Sequence, residues 1–143
     1  SEIGAALGIV QLERLDDTIA ARAKLAAGYR SLPLRFQAAP AGARINFQTF
    51  AAFLPERFSS RDRDALIEDL AKNGIEAQVA SYCLGSLQPL ASILGLGDEE
   101  TPVSRAGAGL GLALPLHGGL EAADVDRVAR AVRHWLSERE VMR

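Results

Sequence analysis

The side chains able to act on a ligand are few in this sequence, and they are scattered along it. His117 follows Leu114-Pro115-Leu116 and precedes Gly118-Gly119, at the end of an alternating apolar run. Loops at strand ends are where binding groups are often carried. An imidazole there can donate, accept or relay a proton near neutral pH, although a lone histidine with no second ligand nearby is more often structural than functional. No cluster of histidine and cysteine has metal-ligand spacing, so no metal centre is expected. Tyr82, Gln88 and Pro89 put an aromatic ring and an amide just beyond a second predicted strand, in a segment that reads first as a plain loop and second as a ligand contact. Cys83 is the single cysteine. With no obvious partner it reads as a small buried residue rather than a nucleophile, and it cannot form an intrachain disulfide. Gly107-Ala108-Gly109-Leu110-Gly111 looks like a phosphate-binding loop. Such a loop follows a strand and opens a helix, so that the helix N-terminus meets the phosphate. These glycines instead precede a strand, and the third comes one residue too early, so the segment reads as a flexible loop. Asp16 and Asp17 are neighbours on a helix and point in different directions, which makes them a solvated face rather than an acid/base pair. His134 lies on the polar flank of the last helix.

The elements that must position these residues belong to an ordinary globular chain. Its 143 residues are 48% hydrophobic and 24% charged, with a net charge of -2, enough for one domain with a real core. Lys and Arg are scattered rather than striped, which leaves no footprint for nucleic acid. No apolar run approaches a membrane span, and no basic-then-apolar opening marks a signal peptide. The lone cysteine fits a reducing cytoplasm.

Residues 1–30 carry helical periodicity in one or two pieces, with Ser1 as a cap and an apolar stripe of Ile3, Leu7 and Val10. Gly28 and Pro33 end this segment. Residues 37–44 read as a loop and Phe47–Leu54 as a buried strand. Ser59 or Ser60 with Asp62 opens a helix whose inward residues are Leu66, Ile67, Leu70 and Ala71, stopped at Asn73-Gly74. Ile75, Ala77 and Val79 alternate as a strand, and Leu87–Leu94 forms a short helix ended by Gly95 and Gly97. Asp98, Glu99 and Glu100 make a solvated loop. Leu110–Leu116 alternates as a strand whose Pro115 points to a sheet edge. Val125, Val128, Ala129, Val132, Trp135 and Leu136 make the inward stripe of a final helix. The pattern predicts an α+β fold, a small mixed or antiparallel sheet packed by helices, in a single domain over residues 1–143.

At this point a family resemblance emerges. Ser1-Glu-Ile-Gly-Ala-Ala-Leu-Gly8 with Gln11-Leu12-Glu13-Arg14-Leu15-Asp16 resembles the opening helix of the small domain of DegT-type sugar aminotransferases. Arg63-Asp64-Ala65-Leu66-Ile67 and Gly74-Ile75-Glu76 are similar to the family's R-D-A-L-I and G-I-E. Tyr82-Cys83-Leu84 with Gln88-Pro89 is similar to its Y-A-L-H and Q-P. Leu114-Pro115-Leu116-His117 with Asp124-Val125-Asp126-Arg127-Val128 is similar to its L-P-L-H and D-V-D-R-V. These stretches keep the family's order over nearly the whole chain.

The resemblance implies the C-terminal small domain of a fold-type I, homodimeric, PLP-dependent enzyme that aminates keto groups of nucleotide-linked sugars, taking nitrogen from an amino-group donor. Tyr82, Gln88 and His117 then become candidate substrate-binding residues. The large domain of that family supplies the Schiff-base lysine, the acid on the pyridine nitrogen and most phosphate contacts. Nothing here matches those parts, nor the N-Y-R-M stretch that would precede Ser1. Lys24 and Lys72 both sit in amphipathic helices. No catalytic or cofactor-binding residue is therefore assigned, and PLP is expected with the full-length family rather than with this stretch alone. The family's histidine in Y-A-L-H is replaced by Gly85 or Ser86, and Glu121 stands where a capping threonine is usual. The alternative expectation is a stand-alone module that binds a small ligand or dimerises, without enzymatic activity.

Overall fold

A computed structural model describes residues 1–96 and 100–141. Helices α1 (Glu2–Glu13) and α2 (Leu15–Tyr29) are two pieces separated at Arg14. Strand β1 (Arg35–Phe36) follows, then β2 (Phe50–Phe53), α3 (Ser60–Lys72) and β3 (Gln78–Val79). A 3-10 turn at Leu84–Ser86 leads to α4 (Leu90–Leu94), α5 (Pro102–Leu110), β4 (Gly111–Leu114) and α6 (Ala122–Val141). The strands form one antiparallel sheet in the order β1-β2-β4-β3. The α+β architecture is thus the one the hydrophobic pattern implies, with β4 interior rather than at an edge. Pro115 sits just past its last paired residue, where its missing N–H costs no ladder bond.

Local chemistry explains the element ends. Ser1 Oγ accepts the Gly4 N–H and caps α1. Ser59 and Asp62 form a reciprocal capping box at α3: Ser59 Oγ accepts the Asp62 N–H, and the Asp62 carboxylate accepts the Ser59 N–H. At the other end of α3 the Ile75 N–H returns to the Leu70 carbonyl across Gly74, whose φ of +67° favours glycine. β2 starts three residues later than the apolar run, because Asn46 Oδ1 accepts the Gln48 N–H and turns Phe47 to φ +51°. β3 is likewise shorter than its alternation, although Ile75 and Ala77 are buried as expected.

Two expectations are corrected. The glycine segment before β4 is the end of helix α5, not a flexible loop. Pro102 sets its first turn, and its last turn is held from outside by Arg63. A Cβ on Gly111 would lie 2.5 Å from the Gly107 carbonyl oxygen, so this tight helix-to-strand reversal excludes a side chain there. On α3, Ala71 is exposed rather than inward-facing, and the buried face runs from Arg63 through Leu66 to Leu70. The predicted ends at Gly97 and the loop at Asp98 and Glu99 lie outside the described residues.

Leu66 and Leu70 of α3, Phe50 and Ala52 of β2, Leu112 and Leu114 of β4 and the whole predicted stripe of α6 make one core. Trp135 packs against Phe58 with ring centroids 5.9 Å apart. α2 meets α6 so closely that a Cβ on Gly28 would fall 2.7 Å from a Val125 methyl. Replacing Trp135 by Ala should lower unfolding free energy by about 3–5 kcal/mol in chemical denaturation. A loss under about 1 kcal/mol would place the indole outside the core.

Tyr29 is fully buried, and its hydroxyl donates to the Pro115 carbonyl at 2.9 Å. Burial, reinforced by the Asp124 carboxylate, pushes its phenol up to about 12. The unfolded chain releases this proton near an ordinary pKa of about 10. The folded chain keeps it until about 12, so the stability Tyr29 contributes is complete below pH 10 and lost as pH rises through 12. Urea midpoints should fall across that window. Tyr29→Phe should be weaker by about 1 kcal/mol at neutral pH yet lose less stability between about pH 10 and 12. An unchanged alkaline slope in the variant would contradict the assignment.

Candidate functional site

β3 and β4 run antiparallel with Gln78 opposite Ala113 and Val79 opposite Leu112, and the Ala80 N–H donates to the Gly111 carbonyl. The chain therefore leaves β3 toward Tyr82 at the Gly111 end of β4, whereas β4 leads into His117 at its other end. The three candidate residues fall in two places: Tyr82 and Gln88 share the excursion after β3, and His117 lies at the opposite end of the strand pair.

Within the excursion, Tyr82 is exposed, and the Gln88 side-chain oxygen accepts the Ser92 hydroxyl at 2.7 Å. Leu84, Leu87, Leu90, Ile93 and Leu94 are also exposed around them. Cys83 is buried as expected. Its thiol is pushed down to about 6, because the hydroxyls of Ser86, Thr101 and Ser104 can donate to the thiolate, against the opposing effect of burial. Its Sγ lies 3.5 Å from Thr101 Oγ1. Hydroxyls are not general bases at neutral pH, so this cluster is not a nucleophile–base pair.

At the other end, His117 Nδ1 accepts the Gly119 N–H at 3.2 Å, which leaves Nε2 as the donor of the neutral ring. Two adjoining clefts of about 220 and 280 Å³ share Glu76, Pro115 and His117. The first is also lined by Asp124 and Arg127, the second by Gln78. The Arg127 guanidinium donates to the Asn73 and Gly74 carbonyls at 2.9 and 3.0 Å, which ties α6 to the end of α3. Asp124 accepts the Glu121 N–H at 2.9 Å, so one half of a capping box persists although Glu121 replaces the shorter threonine. Gln78 donates to Glu76 at 3.3 Å. None of Glu76, Asp124 and Arg127 was a candidate site residue from sequence, where they stand only within family-like stretches. The paired Gly74-Ile75-Glu76 and Asp124-Val125-Asp126-Arg127 stretches were the available signal.

A third cleft of about 460 Å³ lies between α2 and the start of α6, with Leu25, Leu120 and Val125 in its walls and Lys24, Glu121 and Asp126 among its lining residues. It is the natural place to test for PLP, since it includes one of the two lysines. The residues do not fit. Lys24 and Lys72 are both exposed on helices. Glu121 and Asp126 would repel a phosphate dianion, and no hydroxyl side chain lines the cleft to cradle one. Among the described residues no group of His, Cys, Asp and Glu could hold a metal ion, and no helix is long and apolar enough to cross a membrane.

Comparison with known proteins extends the geometry. The chain is 32% identical over 139 residues to GDP-perosamine synthase of Caulobacter vibrioides, a match covering 92% of this chain and 36% of that enzyme. The fold superposes on the sugar aminotransferase Spr1654 of Streptococcus pneumoniae with a TM-score of 0.86 at 23% identity, over 99% of this chain and 36% of that one. At that identity the likeness is one of fold. Spr1654 has also been solved in PLP and PMP forms. DesV of S. venezuelae, solved with a ketimine intermediate, matches at 25% identity and a TM-score of 0.76 over 92% of this chain and 35% of its own. The chain thus spans about a third of the length of these relatives. The model of one family matches residues 1–133; by that span the chain belongs to the DegT/DnrJ/EryC1/StrS aminotransferase family.

Proposed function

We propose that this chain works as the C-terminal small domain of a PLP-dependent aminotransferase acting on a nucleotide-linked keto sugar, and that it does not catalyse alone. The observation that carries this reading is the near-complete match of the chain to about a third of each relative. It is supported by the exposure of both lysines, Lys24 and Lys72, and by the acidic, hydroxyl-free lining of the α2–α6 cleft. In this reading the cofactor, the lysine and the amino-donor chemistry belong to a large domain. Tyr82 and Gln88 face the sugar nucleotide from the excursion after β3, and His117 contributes a ligand-binding group from the other end of the sheet. The exposed apolar residues of α1 favour assembly as a homodimer, and a cytoplasmic location goes with this reading. They equally favour a second reading, a stand-alone module that dimerises or binds a small ligand without catalysis.

Incubating the purified chain with PLP and borohydride should leave no stoichiometric cofactor adduct by mass spectrometry, and no glutamate-dependent transamination. An adduct on Lys24 or Lys72 with turnover would overturn the proposal. A chimera in which this chain replaces the matching third of GDP-perosamine synthase should regain cofactor-dependent transamination, which the second reading does not predict.

A further inference from the structure

We infer that Arg63 is a positioning residue: one nitrogen of its guanidinium closes the base of the excursion after β3 and so fixes where Tyr82 and Gln88 are presented. The inference rests on the proposed function in taking those two residues as the ones that meet the sugar nucleotide.

The excursion leaves the sheet at Ala80 and comes back to it through α5, and both ends converge on Arg63. Its Nη1 donates to the Ala108 carbonyl at 2.9 Å, in the last turn of α5, and to the Gly111 carbonyl at 3.1 Å. The same Gly111 carbonyl accepts the Ala80 N–H at 3.2 Å, where the chain departs for Tyr82. One nitrogen thus ties the departing strand to the returning helix. The junction has no room for a side chain of its own, since a Cβ on Gly111 would lie 2.5 Å from the Gly107 carbonyl oxygen and 3.2 Å from the Ala80 Cβ.

Beyond this base the excursion packs on itself. Cys83 and Ala91 are buried, yet neither belongs to the core around β4. Cys83 Sγ lies 3.5 Å from Thr101 Oγ1, and a Cβ on Gly85 would fall 3.0 Å from that same oxygen. The Leu96 N–H returns to the Ala91 carbonyl at 3.0 Å. A unit packed internally and joined to the rest at a narrow base takes its orientation from that base. Arg63 is suited to set it. The residue is 7% exposed, and its Nε is engaged by Asp64 at 2.7 Å, so the planar fork aims Nη1 in one direction. The single flexible ammonium of a lysine does not reproduce that fork.

Amide residual dipolar couplings of the whole chain read this orientation directly. In Arg63→Lys and Arg63→Met the amides of residues 84–94 should no longer fit the wild-type orientation, while those of β2 and α6 still do. Hydrogen exchange at the Ala80 amide should speed by about tenfold or more, beyond any change at core amides. Asp64→Ala, which leaves the two carbonyl bonds of Nη1 in place, should keep the wild-type couplings. In the chimera with GDP-perosamine synthase, Arg63→Lys should raise KM for GDP-perosamine, assayed in the reverse direction, by about tenfold with a smaller change in kcat. An inactive wild-type chimera would count against the proposed function alone, because the couplings are measured without it. The proposal is overturned if residues 84–94 keep their orientation in both Arg63 variants, or if β2 and α6 lose theirs to the same extent. It is also overturned if neither variant folds while Asp64→Ala does, or if an active chimera shows an unchanged KM.

Discussion

The central strand β4 is held at both ends by side-chain donors reaching in from helices. At its start the buried Arg63 of α3 donates to the carbonyls of Ala108 and Gly111, at 2.9 and 3.1 Å. Just past its end the Tyr29 hydroxyl of α2 donates to the Pro115 carbonyl. A buried guanidinium is costly unless its donors are satisfied. Arg63 meets that condition with the two carbonyls and with Asp64, whose carboxylate lies 2.7 Å from Nε. The rest of the molecule follows from this pinning. β4 pairs with β2 and β3, α5 is held at the point where it turns into β4, and both candidate regions begin where the pinned strand pair ends.

The same constraint explains what could be read from the residues. α6 was legible to the last apolar position because it packs on one side and faces water on the other, the condition under which a 3.6-residue period survives in sequence. The capping box at Ser59 and Asp62 and the stop at Gly74 were legible because their chemistry is local. α5 was not. Its Gly107 and Gly109 lower helix propensity, and the Arg63 side chain that holds its end comes from 45 residues earlier in the sequence. β1, with two residues, is too short to leave a period. For the site, His117, Tyr82 and Gln88 could each be picked out by residue type and by place after a strand. Their separation could not, because it depends on the register of β3 against β4. Glu76, Asp124 and Arg127 stayed hidden because charges on exposed faces carry no periodic signal, and only the meeting of α3, α6 and the end of β4 gives them a common groove.

The fold is also unevenly finished. α2, α3 and α6 bury their inward faces, whereas no residue of α1 is buried. Ile3, Leu7, Ile9, Val10 and Leu12 are all exposed on it, Ile3 by 76% and Leu12 by 69%. A soluble helix normally covers such residues against a neighbour. A self-sufficient core around β4 therefore stands apart from an apolar helix whose stabilising contacts must come from another surface. In the proposed function a large domain or partner subunit supplies that surface. With the chain alone, a second copy is the available cover, and a twofold pair closes the contact.

Sedimentation of the purified chain at micromolar concentration, beside a Leu7→Glu, Val10→Glu double variant, tests this division most directly. The account predicts a dimer for the wild type and a monomer for the variant, with the folded circular-dichroism signal and the cooperative unfolding of the core retained. A single monomeric species for the wild type, or a variant that loses its core together with its partner, would contradict it.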